Sequence, residues 1–206
     1  MSPGDIVFDV ETKHSFAEVG GKNNFDKLGV SVVAAYRYGD GPSTALGAGK
    51  YYTFEEHEIP EFEKLLAASN CVIGFNIHHF DLAVLKPYLS LKTKDLPTLD
   101  LMDAVEKGAG FRISLDNLAE QTLGARKSGD GMQAIRWYKE GKIDDIKKYC
   151  LKDVELTKNL SEYGVQNGKV LFYSRDVSGV VAIPVNWSKI LETKKNLENN
   201  VQPTIF

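Results

Sequence analysis

"DIVFDVETKH", residues 5–14, reads as a hydrophobic strand over residues 6–10 into which two carboxylates, Asp9 and Glu11, are set two positions apart. Side chains alternate between faces along a strand, so the two acids share one surface with their Cα atoms about 6.6 Å apart. Two anions on one face repel, and burial makes each ionised carboxylate costlier still. A divalent cation between or beside them removes that cost. A strand end whose carboxylates reach water would account equally well for an isolated D-x-E.

The surrounding sequence makes this strand part of a sheet. "LGVSVVAAYRY" (28–38) is rich in β-branched and aromatic residues and reads as a second strand; "KYYTF" (50–54), after the turn "GDGP" (39–42), reads as a third. "IPEFEKLLAASN" has Pro60 at a first helical turn and apolar Phe62, Leu65 and Leu66, which predicts a helix ending near Asn70. "CVIGF" is a short interior strand, followed by a helix over about residues 80–88. The order β-β-β-α-β-α predicts an α/β fold whose mixed central sheet is flanked by helices, not an all-parallel doubly wound one. After a short strand near Thr98–Leu101 come helices at 101–107, 114–123, 131–140 and 144 to about 166, then a hairpin ("GKVLFYSRD", "GVVAIPV") and a polar closing helix. "GAGKYY" (47–52) resembles a phosphate loop but lacks the earlier glycine and the Ser/Thr after lysine, so it reads as a turn.

With 206 residues, 43% of them hydrophobic, the chain suffices for one domain of ordinary size, roughly 100 to 200 residues. Residues 1–206 are therefore expected to form a single domain, with a core at about 5–168 and a C-terminal hairpin and helix at 169–206. No run reaches the ~18 apolar residues of a membrane span, and the N-terminus, acidic at Asp5, lacks the charged and apolar regions of a signal peptide. A soluble cytoplasmic protein with no membrane partner is expected. Cys71 and Cys150 lie far apart in apolar segments and read as buried free thiols. The net charge of −3 argues against holding nucleic acid by bulk electrostatics. Its distribution is uneven: residues 1–63 carry 5 basic against 11 acidic side chains, and the remainder 20 against 17. A phosphate-contacting surface would come from the later part, where Arg126, Lys127, Arg136, Lys139, Lys142, Lys147 and Lys148 cluster; a solvated helix face reads the same way. "ARKSGDG" (125–131) either presents Arg126, Lys127 and backbone N–H groups to phosphate or simply links two helices.

Two further acids are out of place. In the long helix from 144, Ile146, Tyr149, Cys150, Asp153, Leu156 and Leu160 form one inward stripe with Asp153 at its middle, and Tyr149 lies one turn before it. In "GFNIHHFDLAVL" a strand ends in a polar turn and Asp81 falls in the first turn of the next helix, where an acid also complements the helix dipole. Each has an ordinary explanation alone. Together they supply four carboxylates and a phenol from separate elements of one small domain.

"FDVET" resembles the D-x-E motif, "NIHHFD" the N-x-x-x-F-D motif and "YCLKD" the Y-x-x-x-D motif of the DEDDy branch of 3′-to-5′ exonucleases, which have an RNase H-like fold. The likeness runs from about residue 5 to 168, with the motifs in family order, and is strongest to stand-alone relatives of the proofreading domain of family B DNA polymerases. It implies that Asp9, Glu11, Asp81 and Asp153 bind two divalent cations, Mg2+ or Mn2+, for which hard oxygen ligands are suited. Such ions, about 3.5 to 4 Å apart, activate a water and stabilise the leaving 3′-oxygen. The resemblance makes Asp9 the bridging ligand, gives Asp153 to one ion and Asp81 to the other, and leaves Glu11 to a metal or the water. Tyr149 orients the water, Asn76 and Phe80 support the second motif, and Thr12 reaches the terminal nucleotide. His78 and His79 sit beside the site, but Mg2+ prefers oxygen, so a substrate or structural role is expected for them. The expected partner is the 3′ end of single-stranded DNA or RNA, since a terminal residue must be splayed into a small acidic site; no protein partner is indicated. The rivals are a structure-specific endonuclease on the same fold and a non-catalytic nucleic-acid-binding module, against which the intact carboxylate set counts.

Overall fold

β1 (Ile6–Thr12) is buried on both faces, and it lies at the centre of the sheet for that reason. The computed structural model describes residues 1–40, 48–125 and 131–191. Next to β1, β2 (Val30–Tyr38) pairs antiparallel, and β3 (Gly49–Glu55) pairs antiparallel with β2. On the other side β4 (Val72–Gly74) and β5 (Thr98–Asp100) run parallel to β1, so the five strands stand in the order β3-β2-β1-β4-β5. The chain reaches β4 through α1 (Ile59–Ala67), which carries Pro60 in its first turn. This is the mixed α/β sheet expected from the sequence, with the RNase H-like strand arrangement.

The period-2 alternation of β1 and β2 divides the core in two. Val7, Val32 and Ala34 face the layer of α6 (Ile143–Asn167), while Ile6, Phe8, Val10, Val33 and Ala35 face Phe62 and Leu66 of α1. Each fully buried large side chain of this kind stabilises the fold by roughly 1.5–3 kcal/mol relative to exposure. By the same alternation Asp9 and Glu11 point, with Val7, toward α6.

Most expected boundaries lie within a few residues of the observed ones, and four differences have physical causes. The helix expected to reach residue 88 is α only over α2 (Asp81–Leu85); it tightens to a 3-10 turn at Lys86–Tyr88, where Pro87 has no N–H to continue the α ladder. β5 ends at Asp100, whose carboxylate caps α3 (Leu101–Ala109). The third strand, expected from Lys50, begins at Gly49, and residues 49–52, which as part of the phosphate-loop-like stretch 47–52 also read as a turn, pair with Tyr38 through Ala35. α1, expected to end near Asn70, ends at Ala67, where the Ala68 amide is shared between the Lys64 and Leu66 carbonyls and the last turn tightens. Residues 41 and 42 of the turn expected at 39–42, and residue 47 of the stretch 47–52, lie outside the described residues.

α4 (Leu115–Leu123) and α5 (Gly131–Lys139) precede α6, and the hairpin β6 (Lys169–Ser174) and β7 (Gly179–Pro184) follows it. The outer edge of β6 is covered by side chains of α4: Asn117 exchanges hydrogen bonds with the Tyr173 backbone at 2.7 and 3.0 Å, and Thr122 does the same with Leu171 at 2.9 and 3.0 Å. Satisfied in this way, a two-stranded hairpin presents no open template on that side. The closing helix begins at Trp187, fully buried, and is described as far as residue 191. Both cysteines are buried, and neither forms a disulfide. No helix among the described residues is long and apolar enough to cross a membrane.

Candidate active site

At the end of β1 the ladder to β2 shifts register between Glu11 and Thr12, with Thr12 opposite Val30 and Ser31 as the extra residue. A bulge of this kind bends a strand and re-aims its side chains. Asp9 and Glu11 reach one cavity of about 270 Å3 by strand alternation, and the bulge brings Thr12 to it beside them. Asp9 is half-buried and Glu11 and Thr12 are buried; the Thr12 hydroxyl donates to the His14 carbonyl at 3.0 Å.

β1 outruns its parallel neighbour. The ladder to β4 stops at Val7 opposite Ile73, and beyond it the Val10 amide donates to Asp81 Oδ1 at 2.9 Å. Asp81 is thereby drawn under the strand that carries Asp9. The chain reaches this point through a sharp turn in which Gly74 is required: a Cβ there would stand 2.2 Å from the Ile77 side chain. Asn76 adopts φ 68°, the left-handed region that residues with a Cβ seldom occupy. Its carbonyl accepts the Phe80 amide at 3.0 Å, and its side-chain oxygen accepts a bond from Arg112.

Asp153, buried, reaches the same cavity from α6. Asp9, Glu11, Asp81 and Asp153 thus come together from three elements, with Thr12, Asn76 and Phe80 beside them. Its apolar walls include Phe16 on the segment after β1 and Met132 and Ile135 on α5. Tyr149 is buried one turn before Asp153, its ring edge-on to Trp137 with centroids 6.0 Å apart, and it is not among the residues lining the cavity. Arg126 and Lys127 lie outside the described residues. Of the other basic residues in that stretch, Lys147 pairs with Glu55 at 2.6 Å, Lys142 with Glu140 at 2.6 Å, and Lys139 with Glu18.

Burial above all, then the charge of Asp9, holds the Asp81 carboxyl well above the usual carboxylate range. The Cys150 thiol is raised by burial first and then by Asp9, Glu11 and Asp153. A concentration of negative potential is therefore present in a partly desolvated place, where hard oxygen donors suit a divalent cation. Ligand atoms of Asp9, Glu11 and Cys150 lie within 4.8 Å of one another. The donor chemistry of the cavity fits a divalent cation.

Two residues of this region are not among the site residues expected from the sequence. Cys150 Sγ lies 3.4 Å from both the carbonyl and a carboxylate oxygen of Asp9; its place in the inward stripe of α6 marked it as buried but not as a neighbour of β1. Asp100, read as the end of a strand, accepts backbone hydrogen bonds from two segments. Its position between a strand and a helix is the pattern of an N-cap and could have been noticed as such. His78 is bound through its ring to Asp103 at 2.6 Å and Thr98 at 2.8 Å.

The sequence profile of the RNase H superfamily matches residues 7–165, about three-quarters of the chain and every acid of the cavity. The chain belongs to the RNase H superfamily. This RNase H superfamily chain matches no curated protein. Among solved structures it is similar to the family B DNA polymerase from the hyperthermophilic archaeon Pyrobaculum calidifontis, with a TM-score of 0.56 and 17% identity over 78% of this chain. The match spans 24% of the polymerase's length, so the likeness concerns the fold of one part of it.

Proposed function

We propose that this chain is a DEDDy-type 3′-to-5′ exonuclease acting on single-stranded DNA or RNA. The observation that carries the proposal is the convergence of Asp9, Glu11, Asp81 and Asp153 on one small cavity of the superfamily fold. The order and spacing of the three motifs support the branch, and the polymerase likeness supports the fold. A non-catalytic binder gains nothing from four clustered anions beside phosphate.

The four carboxylates would hold two divalent cations, Mg2+ or Mn2+, which when bound supply an acidified water and charge stabilisation of the leaving 3′-oxygen. The protein's own residues do the rest. Asp81, tied to the Val10 amide, gives the carboxylate set a fixed frame on β1. Tyr149, its ring packed edge-on to Trp137 one turn before Asp153, would orient the attacking water. Phe16, Phe80, Met132 and Ile135 offer apolar surface to a terminal base, and Thr12 and Asn76 offer polar groups to its sugar. At about 270 Å3 the cavity is smaller than most ligand pockets and has room for one terminal group, not a duplex. In this reading residues 1–206 act as one domain.

The test is incubation of the purified chain with 5′-labelled single-stranded DNA and RNA in Mg2+ or Mn2+, with a chelator control. A ladder receding from the 3′ end one nucleotide at a time is expected. Opening of a circular single strand would make it an endonuclease, and metal-independent retention without cleavage would make it a binding module.

A further inference from the structure

Asp100 lies outside all three motifs and does not line the cavity, yet it is buried and surrounded by donors. Its Oδ1 accepts from the Asn76 amide at 2.8 Å, the Met102 amide at 3.0 Å and the Asp103 amide at 3.4 Å; its Oδ2 accepts from the His78 amide at 3.0 Å. One carboxylate therefore does two tasks. Toward Met102 and Asp103 it caps α3, and toward Asn76 and His78 it grips the loop between β4 and α2. The His78 ring adds a second tie to the same junction through Asp103 and Thr98.

We infer that Asp100 is a positioning residue for the proposed exonuclease site: from the β5–α3 junction it holds the loop of residues 75–80 in the shape that places Asn76 and Asp81 in the cavity. The loop needs such a hold. Asn76 is in the left-handed region, which asparagine enters more readily than other residues with a Cβ but still at a cost that its surroundings must offset. Asp100 engages the Asn76 amide while Arg112 engages the Asn76 side chain, so the strained residue is gripped from both ends. Five residues later the chain delivers Asp81 to the Val10 amide. A shift of the loop therefore moves a carboxylate that must match the three others.

Only a carboxylate serves all four amides. It is acceptor-only on both oxygens, whereas a carboxamide turns an NH2 group toward one of the N–H donors, and a serine hydroxyl reaches the helix cap alone. The two tasks can therefore be separated by substitution. Asp100→Ser keeps a cap on α3 and releases the loop, Asp100→Asn keeps one oxygen, and Ser114→Ala removes the cap of α4 as a control for helix-end loss elsewhere.

The inference rests on the exonuclease reading, and its test separates the two. The full chain and the three variants are compared by Mn2+ titration calorimetry, by hydrogen exchange of the amides of residues 76–81, and by kcat and KM on a 5′-labelled single strand. Asp100→Ser is expected to weaken Mn2+ binding by about 10-fold or more, the size usual for partners that orient a metal ligand. It should also speed exchange at His78 and lower kcat with KM little changed. Asp100→Asn should fall between it and the native chain, and Ser114→Ala should change neither Mn2+ affinity nor exchange in the loop. Should Asp100→Ser behave as Ser114→Ala does in both, Asp100 is a helix cap and nothing more. If Asp100→Ser does not fold, Asp100→Asn carries the same comparison. A native chain that binds Mn2+ but cleaves no strand overturns the exonuclease reading while the affinity and exchange results still decide the role of Asp100.

Discussion

The carboxylate of Asp81 accepts the backbone N–H of Val10 at 2.9 Å, across 71 positions of sequence. One hydrogen bond thus joins the strand that carries Asp9 and Glu11 to the helix that follows β4. It also sets Asp81 in a buried place beside Asp9, where charge is costly, and the properties expected of the site follow from that tension.

The pH dependence of stability is the most direct. Asp81 has a folded-state pKa raised, by burial first, above the ordinary carboxylate value of 3.8. Between the unfolded and folded values the folded chain binds more protons, so this group's contribution to stability falls as pH rises through that window. In metal-free buffer the Asp81→Asn chain should gain on the native one as pH is raised from about 4 to about 8. Denaturant midpoints across that range give the measurement. A gap that stays constant with pH would mean that Asp81 does not titrate there.

Asp153→Asn should reduce hydrolysis to background while leaving metal-free thermal stability unchanged or higher. Asp153 is buried within the same group of anions, and removing its charge relieves repulsion among them. Thermal unfolding in chelator is the check. A large loss of stability would assign Asp153 a structural hydrogen-bonding role.

Tyr149→Phe keeps the edge-on packing against Trp137 and removes only the hydroxyl. A free phenol, with a pKa of about 10, is a poor base near neutrality, so the hydroxyl's part is positional. Single-turnover cleavage at saturating Mn2+ should slow by roughly 10²-fold, with metal affinity intact. Wild-type turnover in this variant would reduce Tyr149 to a core aromatic and turn attention to Glu11.

The C-terminal segment is held by a contact that a single methyl group should disturb. A Cβ on Gly164 of α6 would stand 2.2 Å from the Trp187 ring, which is 1% exposed. Alanine is the better helix former by about 1 kcal/mol, but overpacking costs about 1–3 kcal/mol, so Gly164→Ala should lower stability or expel the ring. Tryptophan fluorescence and the denaturation midpoint report both outcomes; an unshifted emission spectrum with higher stability would show that Trp187 does not depend on this groove.

The sequence alone determined the mixed sheet, because β1 and β2 carry near-continuous β-branched and aromatic runs, while Pro60 and the α6 stripe set helices at legible places. It also determined which acids were anomalous: Asp9, Glu11 and Asp153 each interrupt an apolar pattern, and a broken pattern is visible one residue at a time. What only the tertiary structure decided is where separate segments meet. The Asp81–Val10 bond, the approach of Cys150 to Asp9 and the grip of Asp100 on Asn76 and His78 join residues 71, 141 and 24 or fewer positions apart. No local periodicity encodes such pairings. An aspartate between a strand and a helix looks the same in sequence whether it caps one helix or also holds a loop, because its second set of donors arrives only when the chain has folded.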